Sequence, residues 1–176
     1  MNEPEGAFIE TPIGPAAIRY QTNPFRLTAV DLSGPAKPPK QSKTCEPEID
    51  ALQQICQLIR DYFNGRPISP PWQRLAMTHL TELQRKVLYE TAKIPYGSLK
   101  TYKQIAEAIG RPRAYRFVGS ALGRNPFPLI VPCHRVIRND GNIGNFGAGP
   151  AIKQWLIEFE SGKPQGLQLD VRHAKD

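Results

Sequence analysis

Residues 101–125 read TYKQIAEAIGRPRAYRFVGSALGRN, and residues 126–137 continue PFPLIVPCHRVI. Thr101 followed three residues later by Gln104 is a capping-box pair, in which hydroxyl and amide each satisfy the other residue's orphan backbone N–H, so a helix starts at Tyr102. Gly110 closes it after Ile109, because glycine enters the left-handed turn at a helix end without a side-chain clash. Pro112 suits the first turn of a second helix reaching Leu122 before Gly123 and Pro126. Two short helices joined by a tight glycine-containing turn, with arginine on the second, predict a helix-turn-helix. The apolar, proline-interrupted run that follows predicts an extended, buried segment holding Cys133, His134 and Arg135.

Working outward, Thr81 with Gln84 repeats the capping box, and Leu83, Val87, Leu88 and Thr91 supply a helical stripe that stops at Pro95 and Gly97. Downstream, the polar turn RNDGNIGNFGAG at 138–149 leads to a last helix, where Ile152, Trp155, Leu156 and Phe159 recur at helical spacing. Upstream, residues 65–72 contain Pro67, Pro70 and Pro71 and suit neither a regular helix nor a central strand, which places a domain boundary there. Before it, Ile49, Leu52, Cys56, Ile59 and Phe63 predict an amphipathic helix over 47–64 ended by Gly65, with Cys56 as a small buried hydrophobe. Residues 34–43, GPAKPPKQSK, read as an exposed loop, and 1–33 as about three short strands. The expected fold is α+β, with an N-terminal α/β domain at 1–72, a mostly helical domain at 73–165 and a tail at 166–176.

Charge sharpens this division. The 176 residues carry a net charge of +7, yet residues 1–80 hold eight basic and eight acidic side chains, against fifteen and eight in residues 81–176. Between 100 and 138, eight lysines and arginines face Glu107 alone, the footprint of a polyanion such as nucleic acid. No apolar run approaches the ~20 residues that span a bilayer, and the start lacks a signal-peptide pattern, so the expectation is a cytoplasmic protein with no membrane partner. Cys45, Cys56 and Cys133 form neither a disulfide framework nor a zinc-type pair, and Cys45 carries no assigned role. Cys133 stands beside an imidazole and a guanidinium that can lower its pKa, a setting for a nucleophile. A protease-like His/Asp arrangement is missing, since His79 and His173 are the other histidines.

From Leu80 to Glu160 the chain resembles the O6-alkylguanine-DNA alkyltransferases, through PCHR within IVPCHRV, GRNPFP, TYKQIAEAIG, AYRFVGSAL, GNIGNFGAG and IKQWLIEFE in order. The resemblance implies a ribonuclease-H-like N-terminal domain, a winged-helix-like C-terminal domain, and an irreversible in-line transfer of the alkyl group to Cys133. It also implies that His134, held by Glu160, takes the thiol proton through a water, although Glu158 lies close by. Asn125 matches the hinge asparagine. Tyr102 matches the tyrosine that rotates the 3′ phosphate and hydrogen-bonds the departing guanine, and Arg116 the finger that fills the gap left by the flipped nucleotide.

In that family the second helix enters the minor groove, which makes Lys103, Gly119, Ser120, Ala121, Arg124 and Arg135 expected DNA contacts. Leu122, Val136, Phe146 and Gly147 would form the base pocket, with main-chain groups of Cys133 and Val136 reading the guanine edge. Phe146 replaces a common tyrosine, Gly147 a serine, and Gly123 and Arg124 stand in reversed order. The implied partner is double-stranded DNA carrying O6-alkylguanine, bound by a monomer that is nucleoid-associated in a prokaryote, with no metal or cofactor. Whether O4-alkylthymine is also repaired stays open. Two rival readings are a lesion-binding protein without transfer, which normally lacks the acceptor cysteine, and a helix-turn-helix regulator with a structural cysteine.

Overall fold

The computed structural model describes residues 5–33, 43–44 and 50–162. Strands β1 (Glu5–Ile9), β2 (Ala16–Gln21) and β3 (Arg26–Asp31) form an antiparallel meander. In β2, Ala16, Ile18 and Tyr20 turn inward while Arg19 and Gln21 face solvent, the period of two that a half-buried strand requires. These are the three strands expected, and a two-residue strand, β4 (Lys43–Thr44), adds parallel to β1 at the edge, so the sheet runs β3-β2-β1-β4. Two residues are too few to carry a periodicity. The rest of the expected loop, Cys45 and the tail at 166–176 lie outside the described residues.

Helix α1 (Asp50–Phe63) buries Leu52, Ile55, Cys56, Ile59 and Tyr62, so the stripe ends on Tyr62 rather than on Phe63. Cys56 is buried as expected but is disulfide-bonded, which corrects the expectation of a plain apolar side chain. Spacing along a chain does not report which segment folds back onto a helix. After Gly65 the proline-rich segment leads into a 3-10 turn at Trp72–Arg74 and runs along the edge of β3, where Ala76 N donates to Leu27 O at 2.8 Å. Farther along that edge, Val30 N donates to Pro126 O at 2.8 Å. One continuous apolar cluster therefore joins the two halves, with Leu27 and Tyr62 in the same core as Leu88, Phe127 and Leu156.

The second half comprises α2 (Glu82–Ala92), β5 (Lys100–Thr101), α3 (Tyr102–Ala108), α4 (Tyr115–Gly123), β6 (Val136–Ile137) and α5 (Pro150–Glu160), with β5 and β6 paired in parallel. Both capping boxes are closed: Gln84 N donates to Thr81 Oγ1 and Gln104 N to Thr101 Oγ1, each at 3.2 Å, and both reciprocal bonds are present. Helix α4 begins at Tyr115, three residues later than Pro112 suggests, because Ala114 N turns back to Arg111 O. The PFPLIVPCHRV run is largely buried but is extended only at its end, where Val136 enters β6. Prolines 126, 128 and 132 break it into tight turns, Leu129 takes φ 67°, and Cys133–Arg135 form a 3-10 turn. Among the described residues, no helix is long and apolar enough to cross a membrane.

Candidate active site

The 3-10 turn sends three consecutive side chains in different directions. Cys133 is buried and is a free thiol. Its sulfur accepts a hydrogen bond from Asn125 Nδ2 at 3.1 Å, and the same amide donates to Val131 O at 2.9 Å while Asn125 Oδ1 accepts from Phe127 N at 3.0 Å. All of the Asn125 amide is thus committed to holding the end of α4 against the cysteine segment. Burial pushes the Cys133 thiol up, with the Asn125 hydrogen bond and then the Lys153 charge working against it. This departs from the expectation that His134 and Arg135 lower it, since both are turned toward Glu160.

Glu160, at the end of α5, accepts from His134 Nε2 at 2.7 Å, from Arg135 Nε at 2.8 Å, from Tyr62 OH at 2.8 Å and from Gly97 N at 3.0 Å. Gly97 sits at φ 73°, and a Cβ there would meet Glu160 O at 3.0 Å, so position 97 admits glycine for both conformation and space. Burial alone would raise the Glu160 carboxyl, but the bonds and charges of His134 and Arg135 outweigh it and bring it down to about 2. Glu158 instead accepts from Gln154 Nε2 on the same helix, so the choice between the two glutamates falls to Glu160. A carboxylate cannot donate, so His134 Nε2 carries the hydrogen and Nδ1 presents a lone pair. Nδ1 has no hydrogen-bond partner among the described residues. Burial pushes the imidazole below its usual value against the opposing pull of Glu160, and so keeps it neutral at physiological pH.

Arg135 is a correction. Its guanidinium donates to Glu160 and, through Nη1, to Ile94 O at 2.7 Å, and the residue is 6% exposed. It is buried against Glu160 and Ile94 rather than standing on the exposed surface that a DNA contact requires. Ala121 is likewise buried on the inner side of α4, because the 3.6-residue period turns it inward when Arg116 and Ser120 face out. Val136 is fully buried behind the pocket rather than in its wall, and its carbonyl accepts from Lys153 Nζ at 2.6 Å.

In front of Cys133 lies a cavity of about 170 Å³. Leu122, Phe146 and Gly147 line it as expected, and the end of β3 at Asp31, Leu32 and Ser33 closes its other side. That wall from the N-terminal half has no signal in the sequence, because it arises from how the sheet edge docks. Lys153 is a second feature of the site outside the sequence-based expectations. It lies on the buried face of α5, its ammonium 3.4 Å from Tyr102 OH and 5.6 Å from the Tyr102 ring centroid. Burial lowers it to about 8, with Cys133 opposing the shift. A lysine three residues before Leu156, on a helix whose stripe is otherwise apolar, was the available clue.

Tyr102 links this interior to the surface. Its phenol is pushed up by burial and then by Cys133, so it stays protonated, and with Lys153 donating to its oxygen the hydroxyl hydrogen is free to donate outward. Tyr102, Lys103, Tyr115, Arg116 and Arg138 line an open groove of about 630 Å³. Arg116, Ser120 and Arg124 are exposed along α4, and Gly119 faces the Tyr102 ring, where an added Cβ would stand 3.8 Å away. Gly144, at φ 71°, approaches Tyr102 OH so closely that a Cβ would come within 3.1 Å of it.

Residues 82–162 match the model of the 6-O-methylguanine DNA methyltransferase DNA-binding domain. The chain is 36% identical over 158 residues to a methylated-DNA–protein-cysteine methyltransferase of Methanosarcina barkeri, covering 86% of this chain and 94% of that one. It is 39% identical over 141 residues to the Methanothermobacter thermautotrophicus protein of the same name, covering 80% of this chain and 77% of that one. Among solved structures, that of Mycobacterium tuberculosis OGT in complex with DNA superposes with a TM-score of 0.71 at 31% identity, covering 90% of this chain and 94% of the other. With an α+β fold and the Cys133 site in place, this chain belongs to the methylated-DNA–protein-cysteine methyltransferase family, the O6-alkylguanine-DNA alkyltransferases.

Proposed function

We propose that the protein repairs DNA by direct reversal, moving the alkyl group from O6 of guanine to the sulfur of Cys133 once per molecule. The observation that carries this reading is the pairing of a cavity-facing thiol, fixed by Asn125 at 3.1 Å, with a neutral histidine whose Nε2 is committed to Glu160. The thiol proton passes to His134 Nδ1 through a bridging water. The sulfur attacks the alkyl carbon in line, the S–C bond forms, and the C–O6 bond breaks with its electrons returning to the guanine. Tyr102 donates a hydrogen bond to the departing base, and Lys153 keeps the Tyr102 oxygen as an acceptor so that its hydrogen points outward. No group in the site hydrolyses a thioether, so the protein acts once.

The lesion reaches Cys133 by rotating out of a duplex, at a cost of a few kcal/mol for unstacking. Arg116, exposed at the start of α4, fills the space left behind, and Lys103, Gly119, Ser120 and Arg124 contact the backbone in the minor groove. Gly147 offers its backbone N–H to O6. The protein acts as a monomer wherever DNA is accessible. The test is peptide mass spectrometry after incubation with a duplex containing O6-methylguanine. One methyl on Cys133, stopping at one equivalent and absent in Cys133→Ser, supports the reading. Tight lesion binding with no mass change would reduce the protein to a recognition module.

A further inference from the structure

We infer that Tyr62, on the N-terminal helix α1, is a positioning residue for the proton acceptor His134, so that the N-terminal half takes part in the transfer and does more than support it. This rests on the proposed transfer chemistry. Tyr62 is fully buried, in a helix face otherwise built of aliphatic side chains and a cysteine. A phenol in such a place needs a partner for its hydroxyl, because a buried hydroxyl without one loses its hydrogen bonds to water and gains nothing in return. The partner lies 98 residues away: Tyr62 OH donates to Glu160 Oε1 at 2.8 Å. The Tyr62 hydroxyl oxygen also lies 3.3 Å from His134 Nε2, and the two rings meet edge to face with centroids 5.9 Å apart. Phe63, Tyr96 and Phe159 pack against the Tyr62 ring and fix its tilt.

Burial and then the Glu160 carboxylate both push the Tyr62 phenol up, so it donates at every pH where the protein is folded. Glu160 Oε1 is the atom that receives the His134 Nε2 hydrogen. That oxygen also accepts from Arg135 Nε and Nη2, and the Tyr62 hydroxyl, as a further donor on it, draws off part of the charge that would otherwise stabilise an imidazolium. Tyr62 therefore helps keep His134 neutral and ready to accept, in concert with the other groups around the pair. These are Arg135 beside Glu160, Tyr96 against Arg135 with a ring-to-guanidinium distance of 5.5 Å, Gly97 N on Oε2, and Lys153 and Cys133 on the pocket side.

Tyr62→Phe removes the hydroxyl and leaves the ring packing. Single-turnover transfer from an O6-methylguanine duplex, followed from acid to alkaline pH, should show the acid limb moved up by ~0.5–1 pH unit, with the rate below neutrality lowered ~3–10-fold. Duplex binding should be unchanged. Imidazole 15N NMR on the folded variant reads the same shift directly in the His134 titration, and a purely structural role would leave that titration where it was. In the wild-type protein, a slowly exchanging Tyr62 hydroxyl proton with an NOE to the His134 ring is the matching signature, and it needs no variant. Superimposable pH profiles with an unmoved His134 titration, or no such hydroxyl proton, would overturn the inference. If wild-type protein transferred nothing while the His134 titration still responded to Tyr62→Phe, the transfer reading would fail and the coupling would stand.

Discussion

On the inner side of Cys133, the ionisable groups of Tyr62, His134, Arg135 and Glu160 are buried and bonded to one another; on the outer side, Arg116, Arg124 and Lys103 stand open to solvent along α3 and α4. Even the ion pair on that surface, Lys103 with Glu107, is long at 3.9 Å. Closed bonding fixes a tautomer and a geometry, which proton transfer needs. Open charges keep their entropy and their counterions until a polyanion displaces them, which gives affinity without demanding a preset shape. The two regions should therefore respond to perturbation in opposite ways: stability and chemistry on the inside, DNA affinity on the outside.

The hardest test of that contrast is Arg135→Ala. It leaves the Glu160 carboxylate buried without its main counter-charge and should cost ~3–5 kcal/mol of stability by denaturant unfolding. Arg116→Ala should stay within ~0.5 kcal/mol of wild type in the same experiment. If both arginines proved neutral, the inner cluster would not be the structural element described.

That pair of arginines also shows how far the sequence could be read. Charge between 100 and 138 correctly marked a polyanion-binding segment, but a count of charges cannot separate Arg116, which faces out, from Arg135, which the 3-10 turn directs to Glu160. Local signals carry through to the structure: both capping boxes form where Thr and Gln stand three apart, and the apolar stripe of α5 is buried at Trp155 and Leu156. What escaped depends on contacts between distant segments. Tyr62, Lys153, the β3 wall of the cavity and the Cys56 disulfide each depend on a partner that no local spacing encodes.

Acid sharpens the comparison next. The Glu160 carboxyl lies at about 2 in the folded chain against 4.5 as its ordinary value. A depressed carboxyl stabilises the fold fully above its unfolded value, so this contribution, roughly 3 kcal/mol, is present above about pH 4.5 and is lost as the pH falls toward 2. Glu160→Gln should flatten that part of the stability profile measured by thermal melts. On the outer side, affinity for undamaged duplex should fall steeply with salt, and Arg116→Ala or Lys103→Ala should each reduce the slope of log affinity against log salt by about 1. Smallest of all, Thr101→Ala opens the capping box of α3 and should cost ~1 kcal/mol in denaturant unfolding while leaving the inner cluster intact.

The central claim is that chemistry and DNA engagement are divided between the two sides of Cys133. It is tested most directly by single-turnover transfer to His134→Gln and Arg116→Ala proteins from two substrates, an O6-methylguanine duplex and the free base O6-benzylguanine. The account predicts that His134→Gln slows both reactions by a similar factor, whereas Arg116→Ala slows the duplex reaction and leaves the free-base reaction at the wild-type rate. Equal losses on both substrates for Arg116→Ala, or an unchanged free-base rate for His134→Gln, would contradict it.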